Sequence, residues 1–115
     1  MRRRIKPDDG AAAVAAWQAD PAVKRPTLAL AVRYLLEELA DRHEGNSVEV
    51  RVPPFGVTQC VAGPRHTRGT PPNVVEMTPE IFLALATGSA PIGELWEEVS
   101  ASGTRSDVRH LFPLL

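Results

Sequence analysis

The sequence predicts an α+β domain, with a mostly antiparallel sheet of four to five strands covered on one face by helices. Three observations lead there. Leu28, Val32, Leu35, Leu36 and Leu39 recur at helical spacing across Thr27–His43. The period then drops to two, where Val48, Val50 and Val52 alternate with Ser47, Glu49 and Arg51. The chain has 115 residues, neither an internal repeat nor a long linker, and a single domain spans roughly 100–150 residues. Residues 1–9 read as a basic N-terminal tail and 10–115 as that one domain.

The elements follow in chain order. Pro7-Asp8-Asp9 is a helix start, because aspartate favours the N-cap and the first turn. A short helix over Gly10–Ala19 has Val14 and Trp17 as its bulky inward residues. Pro21 and Pro26 punctuate the connection to the Thr27–His43 helix. Arg33/Glu37 and Glu38/Arg42 are i,i+4 pairs on that helix, and its charged side is expected to be solvated. Gly45 suits a left-handed C-cap. Val48–Val52 is a half-buried strand, and Phe55–Ala62 a second one in an antiparallel hairpin with it. Gly63–Pro72, with neither periodicity nor an apolar face, is a loop. Asn73–Met77 returns to strand, and Thr78-Pro79 opens a short helix closed by Gly88. Pro91–Val99 is a further helix with Ile92, Leu95, Trp96 and Val99 inward, and Ser100–Gly103 a small-residue strand or turn. Thr104 or Ser106 caps a last helix carrying Val108, Leu111, Phe112 and Leu115.

Composition excludes several functions. The formal net charge is −1, unevenly spread. Arg2, Arg3, Arg4 and Lys6 stand in the first six residues, and the rest of the chain has nine basic against fourteen acidic residues. Four terminal charges contribute at most ~4 kcal/mol at an anionic membrane, which is only millimolar-scale affinity. No aromatic-studded basic face suits nucleic acid, so neither nucleic-acid binding nor stable membrane insertion is expected. Cys60 is the only cysteine, which rules out an internal disulfide and a cysteine-based zinc cluster. His43, His66 and His110 show no metal-binding spacing, so no metal or cofactor is expected. The apolar segment after Asp8-Asp9 is too alanine-rich and too short for a signal peptide, which favours a cytoplasmic protein.

The most chemically loaded stretch is Arg65-His66-Thr67-Arg68-Gly69-Thr70. Two guanidiniums, an imidazole and glycine-exposed N–H groups suit a carboxylate or phosphate. A surface loop whose arginines pair with Glu49 or Glu76 explains the same residues. Cys60 and His66 invite a thiolate–imidazole reading, but a lone cysteine within a strand is usually a small buried hydrophobe. There is no convincing catalytic constellation, and the chain is not expected to be an enzyme.

Val48–Pro79 (VEVRVPPFGVTQCVAGPRHTRGTPPNVVEMTP) and the closing VSASGTRSDVRHLFPLL resemble the sterol carrier protein superfamily of non-specific lipid-transfer proteins. The closer likeness is to its short bacterial branch, known mainly from actinobacteria, over roughly residues 28–115. The resemblance implies a five-stranded sheet covered on one side by helices; the fifth strand would lie within Arg65–Thr70 or in a bent Phe55–Ala62. It also implies an apolar tunnel for fatty acyl chains, fatty acyl-CoA or sterols. Under that resemblance Leu35, Leu39, Val48, Val50, Val52, Val57, Val61, Phe82 and Trp96 would contact the acyl part, and Arg65, His66 and Arg68 would hold the charged head. An empty dry pocket of ~300 Å³ would cost ~7 kcal/mol, against a net stability of only ~5–15 kcal/mol. Lipid, water or collapse must therefore fill such a tunnel. The alternative is an accessory or protein-interaction module with a solid core, similar to the C-terminal half of mycothiol-dependent isomerases.

Overall fold

The structure is a computed structural model that describes residues 4–63 and 73–115. Helix α1 spans Pro7–Ala19 and begins three residues before the expected start, with Pro7 in its first turn and Asp8 and Asp9 at its positive end. The boundary drawn between residues 9 and 10 therefore falls inside a helix. Helix α2 spans Arg25–Arg42, again with a proline in the first turn. Strands β1 (Val48–Val52) and β2 (Gly56–Cys60) form the expected hairpin, with Val48 opposite Cys60 and Val52 opposite Gly56. Strand β3 is Val74–Glu76, α3 is Pro79–Thr87, α4 is Ile92–Trp96 and β4 is Ser100–Ser102.

The architecture is α+β, but the sheet is mixed rather than mostly antiparallel. Its order is β2-β1-β3-β4, and the central β1–β3 pair is parallel, Val50 facing Val75. β2 ends beside the start of β1, and β3 begins at that same end. By taking the vacant side of β1, β3 must run with it; alternation alone does not say which side a returning strand will take. Four strands are present among the described residues; Gly56–Cys60 is one strand paired along its length with β1, and Arg65–Thr70 lies outside the described residues.

One face of the sheet is covered. Val48, Val50, Val52, Val75 and Cys60 point inward with no exposed surface, against Leu35 and Leu39 of α2 and Phe82 and Leu83 of α3. Each such side chain contributes ~1.5–3 kcal/mol by leaving water. Glu49 and Arg51 pair on the outer face, where Gln59 and Glu76 are exposed. Antiparallel register decides the inward face of β2: Thr58 and Cys60 lie across from Val50 and Val48, so Val57 points outward. The expectation that Val57 shares the valine face of β1 is corrected by that register.

Helix α2 is central. It packs on β2, on α3 and, on its other side, on α1. Gly10 permits the last of these contacts, since a β-carbon there would overlap the Tyr34 ring. This second layer corrects the solvated-face expectation: Tyr34 and Glu37 are buried on the side of α2 away from the leucine stripe. Glu38 and Arg42 do form the expected i,i+4 pair, at 2.8 Å.

Caps and ends differ in detail. Thr78 caps α3 by accepting the Ile81 N–H at 3.3 Å, and Gly88 closes it in the left-handed region, both as expected. The C-cap of α2 is His43; Gly45 lies beyond it at φ +148°. The final helix is only a 3₁₀ turn, Arg109–Leu111. Pro113 has no N–H with which to continue it. Leu114 is buried in place of the exposed Leu115, and the N–H groups of both donate to the Ala86 carbonyl at 2.8 and 3.2 Å. Ser106 donates to the Gly103 carbonyl at 2.8 Å, an arrangement that leaves the turn uncapped by it.

Candidate functional site

The apolar residues expected at a ligand divide into two sets. Leu35, Leu39, Val48, Val50, Val52 and Phe82 meet between sheet and helices, with no exposed surface, in one cluster. Val57 is 57% exposed on the opposite face. Val61 is half-buried just past β2, and Trp96 is half-buried on α4 against the edge of the cluster. Arg65, His66 and Arg68 lie outside the described residues.

The described residues on either side of 64–72 are tied to one end of the sheet. Val61 donates its N–H to the His43 carbonyl at 2.7 Å and accepts both the N–H and the hydroxyl of Ser47, at 3.1 and 2.7 Å. The buried Asn73 donates Nδ2 to the Ser47 carbonyl at 2.7 Å and accepts the Arg105 N–H at 2.9 Å. Its own carbonyl accepts the Glu49 N–H at 2.9 Å. No periodicity signalled Ser47 or Asn73; the one available cue is that each is a small polar residue at the mouth of a strand.

Cys60 is wholly buried, and desolvation pushes its thiol up to about 11. That is the reverse of what a nucleophile needs. Among the described residues no group of three His, Cys, Asp or Glu could hold a metal ion, and no helix is long and apolar enough to cross a membrane.

Sequence reasoning missed Glu37. At 100° per residue it stands on the far side of α2 from the leucine stripe, yet it is only 6% exposed. Its Oε2 accepts the Arg4 N–H at 3.0 Å and its Oε1 the Ile5 N–H at 3.1 Å. Hydrogen bonds to a charged acceptor contribute ~1.5–3 kcal/mol each. The side chain thereby holds the segment before α1 across the outer side of α2, with Ile5 packed against the core. The signal available was Ala31 and Tyr34, which extend the apolar surface beyond the leucine stripe and mark a helix covered on more than one side.

Arg4 and Ile5 border two open grooves. On one side a groove of about 610 Å³ runs over Ala12, Ala16 and Leu30, with Lys6 and Asp9 at its rim. On the other, one of about 480 Å³ lies between Leu36 and Glu37 of α2 and the start of β2, lined by Arg33 and Phe55. Arg33 donates Nε to the Phe55 carbonyl at 3.0 Å, and the Arg25 guanidinium stands 4.9 Å from the Phe55 ring centre.

A mixed sheet with one helix-covered face and a closed apolar interlayer defines a small α+β domain. Residues 24–114 match the sequence model of the bacterial SCP ortholog family, and the chain belongs to that sterol-carrier-protein-like family. Comparison with curated proteins finds no match.

Proposed function

We propose that the chain is a non-catalytic binding or carrier domain for a lipid-like ligand, fatty acyl or sterol-like. Membership of the sterol-carrier-protein-like family over residues 24–114 carries this reading. The layer of Leu35, Leu39, Val48, Val50, Val52 and Phe82, bordered by Val61 and Trp96, supplies the apolar surface that an acyl chain would contact if the layers part. Arg65, His66 and Arg68 are the candidates for its charged head, a role in which guanidinium–carboxylate hydrogen bonds are strong and directional. No covalent step is needed, and the setting of Cys60 opposes one.

Native mass spectrometry of the protein purified from cells tests the reading. Adducts of lipid mass are expected; their absence, together with no binding of added fatty acid, would overturn it. A second reading, an accessory or protein-interaction module with a solid core, is favoured by the complete burial of those six interlayer side chains. It predicts a bare chain and a protein that co-purifies at fixed stoichiometry.

A further inference from the structure

The two grooves share Arg4 and Ile5 as a common wall. That wall is not part of a helix or strand; it is a segment that bends at Ile5 and is held by the Glu37 carboxylate through two backbone N–H groups. Each groove, at about 610 and 480 Å³, is within the size range of small-molecule sites, roughly 300–1,000 Å³, and lifting the wall would join them into a single trough over the outer side of α2. The trough is polarised. Its far end is floored by small apolar residues, Ala12, Ala16 and Leu30. Its near end is lined by Arg33 and Phe55: Arg33 donates Nε to the Phe55 carbonyl, and the Arg25 guanidinium stands over the Phe55 ring. The acids that border it are Asp9, at the far rim, and Glu37, whose two oxygens are both occupied by the strap.

We propose that Arg4–Lys6 is a latched strap over a surface site for a long-chain carboxylate, with Glu37 as the latch. The carboxylate lies against Arg33 and the chain runs beneath the strap toward Ala16. The ligand class rests on the carrier reading; the site goes beyond it, because it takes an amphiphile while the interlayer core stays closed.

The test uses the full chain, cis-parinaric acid as a fluorescent probe, and limited trypsin digestion at the Arg4–Ile5 bond. Arg33→Gln should weaken cis-parinarate about tenfold, the scale of one charge-assisted hydrogen bond, and leave the affinity for the corresponding alcohol unchanged. Ala16→Trp, on the exposed side of α1, should block the far end and weaken both probes. Glu37→Gln, which replaces one acceptor oxygen with a donor, should speed cleavage after Arg4 and tighten probe binding. If that variant fails to fold, Ile5→Ala should loosen the strap in the same sense. Saturating probe should also speed cleavage in the unaltered protein. Binding that none of these variants changes would overturn the trough and leave the carrier reading standing. Absence of binding by the unaltered protein and by the strap variants alike would overturn both.

Discussion

The main chain of Val61 occupies the place where a side chain on Gly45 would stand. Gly45 is at φ +148° and Val61 at φ +68°, and a β-carbon on Gly45 would overlap the Val61 carbonyl group. Two rare backbone conformations thus press together at the exit of β2. Gly45→Ala should therefore be destabilising by ~3 kcal/mol or more, since overpacking adds to the strain at positive φ. A urea titration followed by far-ultraviolet circular dichroism checks this.

Val61 carries the complementary prediction. A β-branched residue in the left-handed region costs ~1–3 kcal/mol, and its side chain is only half-buried. Val61→Gly should remove that strain and keep the stability within ~1 kcal/mol of the unaltered protein. Val50→Ala, in the sealed interlayer, should instead lose ~2–4 kcal/mol.

Asn73 joins the ends of three segments through one amide. In Asn73→Ala the Ser47 carbonyl and the Arg105 N–H lose their partner. Each buried polar group left unsatisfied costs ~1–3 kcal/mol, so a loss of about 2–4 kcal/mol is expected. Asn73→Asp should be little better: it keeps an acceptor for Arg105 but brings a carboxylate against the Ser47 carbonyl. Thermal unfolding of the two variants side by side distinguishes this from a purely steric role.

Cys60 makes stability depend on alkaline pH. An unfolded thiol ionises near 9, whereas the folded one is held up to about 11. Between those values the unfolded chain has lost a proton that the folded chain retains, so stability falls as pH rises. The contribution is intact below pH 9 and spent by pH 11, about 2–3 kcal/mol in all. Cys60→Val should flatten that part of the curve. Iodoacetamide at pH 8 should label the folded thiol slowly and the urea-unfolded thiol fast; a quick folded-state reaction would contradict the burial argument.

Trp17 is buried, and its indole N–H finds no acceptor among the described residues. Trp17→Phe removes that donor along with some apolar area, and the two effects oppose each other. A change within ~1 kcal/mol is expected, compared with a loss of ~3–5 kcal/mol for Trp17→Ala. Differential scanning calorimetry of the pair reads the difference.

The layers were legible because helix and strand periods differ so clearly at His43–Val48, and because Thr78-Pro79 and Gly88 mark the ends of α3 in local chemistry. Three features were not. The parallel direction of β3 depends on which edge of β1 was vacant, which no local pattern encodes. The outward turn of Val57 depends on cross-strand register, where a shift of one residue exchanges the faces. Glu37 looked like half of an ordinary surface pair with Arg33; only tertiary packing of Arg4 and Ile5 onto α2 buries it. The candidate head-group residues Arg65, His66 and Arg68 had a chemical signal in their composition, and its reading remains with the binding experiments.

The parallel β1–β3 pair also sets an order of assembly. Val52 and Gly56 come together across a tight turn, whereas Glu49 waits for Val74, twenty-five positions later. Closing the longer loop costs about 1.5 kcal/mol more chain entropy than closing the hairpin. The hairpin with α2 is thus the natural first half of the structure, and β3 and then β4 are added to an edge already formed. Read backwards, the same sequence makes β4, every residue of which is exposed, the first strand to open. In native-state hydrogen exchange its amides should give up their protons well before those of β1.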